Sequence, residues 1–205
     1  MKIENYPVVK VEFDEAKRLA EFGAIVQDLG AVMETCWRIE ELIKQSSNDD
    51  ILIEGLWTAA LVRYARCFAE AKRKGLTESI FGGLQGEPLT AHQYYIDMRN
   101  KHVAHSVNPF EQAYAGVVLT PENSEKKEVV GTSTFMMRHI VCDLSGVHQL
   151  GVLAKVVLGV VCDQAKQCER ELLEKSKTVP IDELYRKERL EVKAPGPEKA
   201  GVARK

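Results

Sequence analysis

The 205-residue chain lacks the cysteine spacing of a metal or disulfide framework. Its five cysteines (Cys36, Cys67, Cys142, Cys162 and Cys168) form no CxxC pair, and most sit among apolar neighbours. They read as buried free thiols of a reducing compartment, which argues against a zinc site and against a disulfide scaffold. An excess of one charge is also missing: 28 Lys/Arg stand against 30 Asp/Glu, a net charge of −2. The last 28 residues hold seven of the bases and five of the acids, which leaves 21 against 25 in residues 1–177. A mildly acidic body has no broad basic footprint for nucleic acid, so any contact with phosphate has to be a local pocket. GxGxxG, GxxxxGK[ST] and GxSxG do not occur, which removes the dinucleotide, P-loop and nucleophile-elbow signatures. The opening stretch "MKIENYPVVKVEF" has no apolar leader core. The longest apolar run, "LGVLAKVVLGVVC", is broken by Lys155 and is shorter than the roughly 20 residues of a bilayer span. A bacterial-type cytoplasmic protein without membrane contact is the expectation.

What is present is mostly helical period. Residues 14–46 place Leu19, Phe22, Ile25, Val26, Leu29, Val32, Met33, Trp37, Leu42 and Ile43 at spacings of three and four. "SSNDD" then supplies an N-cap for a second helix over about 50–74, with Gly75 as its C′ residue. After a glycine-rich loop, "TAHQ" reads as a capping box, with Thr90 as N-cap and Gln93 three residues on, opening a third helix that ends near Ser106. Past Pro109 the period changes to Val, Thr and aromatic residues on either side of "PENSEKK", which predicts a β-hairpin over about 113–141. A last helix follows over 143–176, and Gly146, Gly151 and Gly159 within it mark expected close approach to a neighbour. The expected fold is mainly all-α: an up-and-down bundle of four long helices in residues 1–177, a hairpin inserted before the last helix, and a partly disordered charged tail over 178–205.

The third helix carries the unusual stretch, "YYIDMRNKHVAHS", residues 94–106. Ile96 and Val103 are seven apart and should share a face, yet Arg99 and Asn100 lie between them on that face. At about 100° per residue, Arg99, His102 and His105 form a stripe about 120° wide that can face one groove. The two histidines alone are a weak metal signal, and no carboxylate of this helix completes a ligand set, since Asp97 points elsewhere; no metal and no cofactor are expected. A structural reading stays open, in which Arg99 pairs with an acid from another helix and His105 caps the helix's C-terminal carbonyls. Arg63 and Arg66 read as solvated or ion-paired, and Tyr94 and Tyr95 as core and interface rather than a base-stacking platform.

"RNKHVAH", residues 99–105, resembles the R-x(4–6)-H signature of the HEPN superfamily, helical-bundle proteins of prokaryotic defence and toxin systems and of some eukaryotic ribonucleases. The late position in the third long helix and the polar residue after the arginine agree with it. "RNK-x-x-AHS" followed by a short strand pair is most similar to the abortive-infection type. The resemblance implies a metal-independent endoribonuclease, in which His105 is the acid/base, Arg99 the phosphate ligand and Asn100 the polar residue that orients them. His102 has no fixed family role and is either a second proton donor in contact with substrate or simply a surface histidine. One motif supplies one strong acid/base, so the resemblance further implies a homodimer with a composite site, RNA cut to 2′,3′-cyclic phosphate ends, and an antitoxin or defence-system partner. The alternative it leaves open is a non-catalytic dimeric binding or regulatory module using the same groove. The residue types suit the chemistry: histidine titrates near neutrality and arginine matches phosphate oxygens in a fixed fork.

Overall fold

A computed structural model describes residues 6–47, 49–69, 74–104, 111–138, 142–191, 194–199 and 201–202. The described chain is mostly helical, with one small antiparallel hairpin. Helix α1 spans Asp14–Lys44, α2 Asp50–Arg66 and α3 Pro88–Met98; strands β1 (Glu111–Leu119) and β2 (Val129–Arg138) follow, then α4 (Leu144–Lys177) and a short α5 (Ile181–Tyr185).

The core is built on the two longest helices. Ile25, Leu29, Val32, Cys36 and Ile39 of α1 recur at three and four residues and are fully buried. They face Val147, Leu150, Ala154, Val157 and Val161 of α4. The pair runs antiparallel, because Glu40 of α1 meets His148 near the start of α4, while Glu15 meets Lys175 near its end. Of the three glycines expected to mark close approach, only Gly151 does so. A Cβ there would lie 3.1 Å from Cys36 Cβ. Gly159 has open space around it, and the atoms nearest a Cβ at Gly146 belong to Asp143, whose side chain caps α4 by accepting the Gly146 N–H at 2.8 Å. An 18-residue window of α4 reaches a mean hydropathy of 1.6, long and apolar enough by composition to cross a bilayer, which the reading of its apolar run as too short had missed. Packing against α1 buries 39% of that stretch, and Val152 and Val156 are among its exposed apolar side chains.

Helix α2 packs along α1 and is capped as expected, Asp49 accepting the Leu52 N–H at 3.0 Å. It ends at Arg66 rather than near 74. The chain turns back on itself instead, with the Leu76 N–H donating to the Cys67 carbonyl at 2.8 Å. Gly75 serves this crossing and not a helix end, since a Cβ at Gly75 would sit 2.7 Å from the Ala69 carbonyl oxygen. Helix α3 starts three residues early. Glu87 is its N-cap residue without a side-chain hydrogen bond, and Pro88 at the first helical position supplies a preset φ. Thr90 therefore lies inside the first turn and is not the cap.

Strands β1 and β2 pair in register from Glu111↔Arg138 to Val118↔Gly131, with an irregularity before Leu119↔Val129. The Thr120 hydroxyl closes the tip, donating to the Lys126 carbonyl and accepting the Glu128 N–H, both at 3.1 Å. Residues 186–191 return to the chain's beginning, where Lys10 N–H donates to the Glu188 carbonyl and Leu190 N–H to the Val8 carbonyl, each at 2.8 Å.

The two central glycines of α4 should respond in opposite directions. Gly151→Leu forces apart the helices at their tightest point and is expected to cost about 1–3 kcal/mol or more. Gly159→Ala gains helix propensity against no neighbour and is expected to stabilise by about 0.5–1 kcal/mol. Chemical denaturation of both variants checks this, and equal effects would contradict the packing described.

Candidate functional site

Helix α3 is held by an aromatic cluster. His92, Tyr95 and Met98 form its buried stripe at intervals of three. His92 sits among Phe68, Phe81 and Tyr64, with ring centroids 4.2, 4.9 and 5.8 Å away. Tyr64 Oη lies 3.0 Å from His92 Nδ1. A neutral imidazole with its proton on Nε2 accepts the tyrosine proton there. Burial pushes the His92 pKa below its ordinary value, despite the opposing charge of Glu78. Tyr95 ties the helix to α4, donating to the Gly146 carbonyl at 2.7 Å, with Gln149 Oε1 2.9 Å from the same hydroxyl.

From this anchored end the chain continues as a π-helical segment, Arg99–Ala104, which coincides with "RNKHVA". A π turn closes i→i+5, is rare, and occurs mostly as a single turn at functional sites. The 100° step therefore stops applying at Arg99, and the stripe of three side chains derived from it does not carry over as an angle. Ile96 and Val103 both still pack partly against the core, and the segment lies against α2. Arg99 is half-buried, and its Nη1 donates to Asn100 Oδ1 at 2.9 Å. No carboxylate pairs with Arg99 among the described residues. Asn100 is exposed and His102 half-buried, while Lys101 lies 3.5 Å from Asp97. His105 lies outside the described residues.

The structure thus brings Arg99 and Asn100 into contact and places His102 on the same turn. It treats the arginines of α2 differently. Asp28 of α1, only 3% exposed, accepts from Arg66 Nε at 2.8 Å and from Arg66 Nη2, and Arg63 Nη1 lies 3.9 Å away. These arginines are ion-paired, which contrasts directly with Arg99.

Two features escape the sequence. Glu40, nearly buried on α1, accepts from Lys44 Nζ and from His148 Nδ1, each at 3.0 Å. Burial raises its pKa, but the Lys44 and His148 hydrogen bonds outweigh that and hold the carboxyl below the usual range. No local spacing could reveal a pair 108 residues apart. The second is a cavity of about 410 Å³ between α1, residues 74–80 and α4, with Arg18, Phe22, Lys74 and Gln164 in its lining. None of the described motif residues, Arg99 to Ala104, lines it. Among the described residues no cluster of three or more His, Cys, Asp or Glu side chains could hold a metal ion. Comparison of the chain with family models, curated proteins and solved structures finds no match.

The anchoring histidine has a testable signature. His92 has a folded pKa below the 6.5 of an exposed imidazole. The unfolded chain therefore takes up the proton first, and the stability His92 contributes is complete above about 6.5 and lost as pH falls below it. His92→Phe should lower this component of the pH dependence between pH values of about 7 and 5, measured by thermal unfolding beside the wild type. An unchanged slope would contradict a neutral, buried His92.

Proposed function

We propose that the chain is a metal-independent endoribonuclease of the HEPN type, acting as a homodimer within a defence or toxin–antitoxin system. The observation that carries the reading is Arg99: a half-buried guanidinium on a π turn, held by a neutral amide and by no carboxylate among the described residues. An arginine kept for stability would have an acidic partner, as the more exposed Arg66 has in the buried carboxylate of Asp28. Arg99 is instead positioned with its charge available to an incoming anion, and its fork suits phosphate oxygens.

In this reading the Arg99 guanidinium binds the scissile phosphate and stabilises the charge that grows on its oxygens, and Asn100 fixes the guanidinium's orientation. His105 takes the proton from the 2′-hydroxyl as its oxygen attacks phosphorus. The 5′-oxygen leaves with a proton from the second copy's His105, giving a 2′,3′-cyclic phosphate and a free 5′-hydroxyl. His102, on the same turn, is assigned a further contact to substrate in this reading. Exposed apolar residues on the helices expected at the two-fold support the dimer: Leu89 and Tyr94 on α3, and Leu144, Val152 and Val156 on α4. Val152 and Val156 lie one turn apart on the side of α4 opposite its buried stripe.

Arg99→Ala separates a functional arginine from a structural one. The proposal expects RNA cleavage to be abolished while unfolding free energy changes by less than about 1 kcal/mol, because no carboxylate is stranded. A loss of about 3–5 kcal/mol, the scale of a broken buried ion pair, would refute the role given to Arg99. Since the motif helix offers no carboxylate to complete a ligand set, cleavage should persist in EDTA. Loss on chelation with rescue by a divalent ion would point to metal-assisted hydrolysis instead.

A further inference from the structure

We propose that the 111–138 hairpin is a dimerisation arm whose covering surface is a second copy of this chain. No helix packs appreciably against β1 or β2 in the described structure, and the strands touch chiefly each other. An isolated two-stranded hairpin is at best marginally stable in water. This one is nevertheless strongly apolar on both faces. Opposed residues share a face, so Tyr114 with Phe135, and Gln112 with Met137, lie on one side. Ala113 with Met136 and Val117 with Thr132 lie on the other. Nine large apolar side chains of the two strands are between 41% and 83% exposed. Summed over the two faces they present on the order of 1,000 Å², which reaches the roughly 800 Å² per partner of a stable interface when the second copy covers both faces.

The chemistry of the arm selects its occupant. From Gln112 to Leu119 and from Val129 to Met137 there is no Asp, Glu, Lys or Arg. Nucleic acid would need cations along these faces, and between those bounds the sequence has none, Arg138 standing at the base opposite Glu111. A bilayer entered by the tip would have to take in Glu122, Glu125, Lys126, Lys127 and Glu128. What fits is another uncharged apolar surface, and the arm is such a surface itself. A sheet of two strands has an outer edge on each, and an antiparallel edge can pair with its own copy around a two-fold axis. The arm also springs from the chain shortly after the π turn and returns just before α4, the two elements placed at the two-fold above. The inference therefore rests on the dimeric part of the proposed function, and not on its chemistry.

The test is light scattering and sedimentation of the full chain at micromolar concentration, wild type beside the double variant Phe135→Lys, Met136→Lys, which puts a charge on each face. The wild type should be dimeric, and the variant's dissociation constant should rise on the order of 100-fold with helical circular dichroism unchanged. A monomeric wild type, or an unchanged dissociation constant, overturns the proposal. Should the variant misfold, a photo-crosslinking residue in place of Tyr114 in the otherwise native chain should yield covalent dimers, and crosslinks confined to single chains overturn it. RNA cleavage is read in the same samples. An arm variant that stays dimeric and cleaves removes the arm and leaves the composite site. A wild type that dimerises through the arm but never cleaves leaves the arm and removes the ribonuclease.

Discussion

Helix α1 against α4 is the contact on which the other elements depend, and it is tightest where Gly151 receives Cys36. With no side chain at 151, the backbones approach closely enough for Leu29, Val32, Leu150 and Ala154 to be completely buried. Overlap of two helices this long buries most of the core, and the remaining elements attach to the platform. Its ends are closed by polar contacts, the ion pair of Glu15 with Lys175 at one and the hydrogen bond of Glu40 with His148 at the other. These half-exposed pairs set alignment more than they add stability.

Attached to that platform, α2 and the 3-10 turn Glu78–Phe81 build an aromatic socket for α3. The socket is what gives the motif a defined place. His92, Tyr95 and Met98 are held on three successive turns, so the chain leaving Met98 starts from a fixed direction. Widening to a π turn at that point lets Ile96 and Val103 keep their core contacts while Arg99 and Asn100 occupy the space between them. A regular α-helix would carry a repeating stripe there. The π turn thus explains how a polar pair can interrupt an apolar face without breaking the packing on either side.

Much of this was legible in the sequence where the signal is periodic. The three-and-four spacing of Ile25, Leu29, Val32 and Cys36 announces α1, and the change to Val, Thr and aromatic residues after Pro109 announces the hairpin. Signals that depend on tertiary placement were not legible. Gly75 looks like a helix C′ residue because local sequence cannot show that Ala69 passes beside it. Thr90 looks like an N-cap by residue type, although Pro88 two residues earlier already opens the helix at its first position. The π turn has no propensity signature, so an angular argument at 100° per residue failed at the position that mattered most. The candidate site divides in the same way. Arg99 and Asn100 stood out by residue type, whereas the Asp28 pairing of Arg63 and Arg66 needed contact across two helices to become visible.

The proposal to be tested is chemical: Arg99, which has no acidic partner among the described residues, and His105 would cleave RNA by attack of the RNA's own 2′-hydroxyl. End-group analysis of RNA incubated with the purified full chain tests this most directly, using paired substrates with and without a 2′-hydroxyl at the cut position. The account predicts 2′,3′-cyclic phosphate and 5′-hydroxyl ends, and no cut where the 2′-hydroxyl is replaced by hydrogen. Products bearing 5′-phosphate and 3′-hydroxyl ends, cleavage of the deoxy substrate, or intact RNA would contradict it.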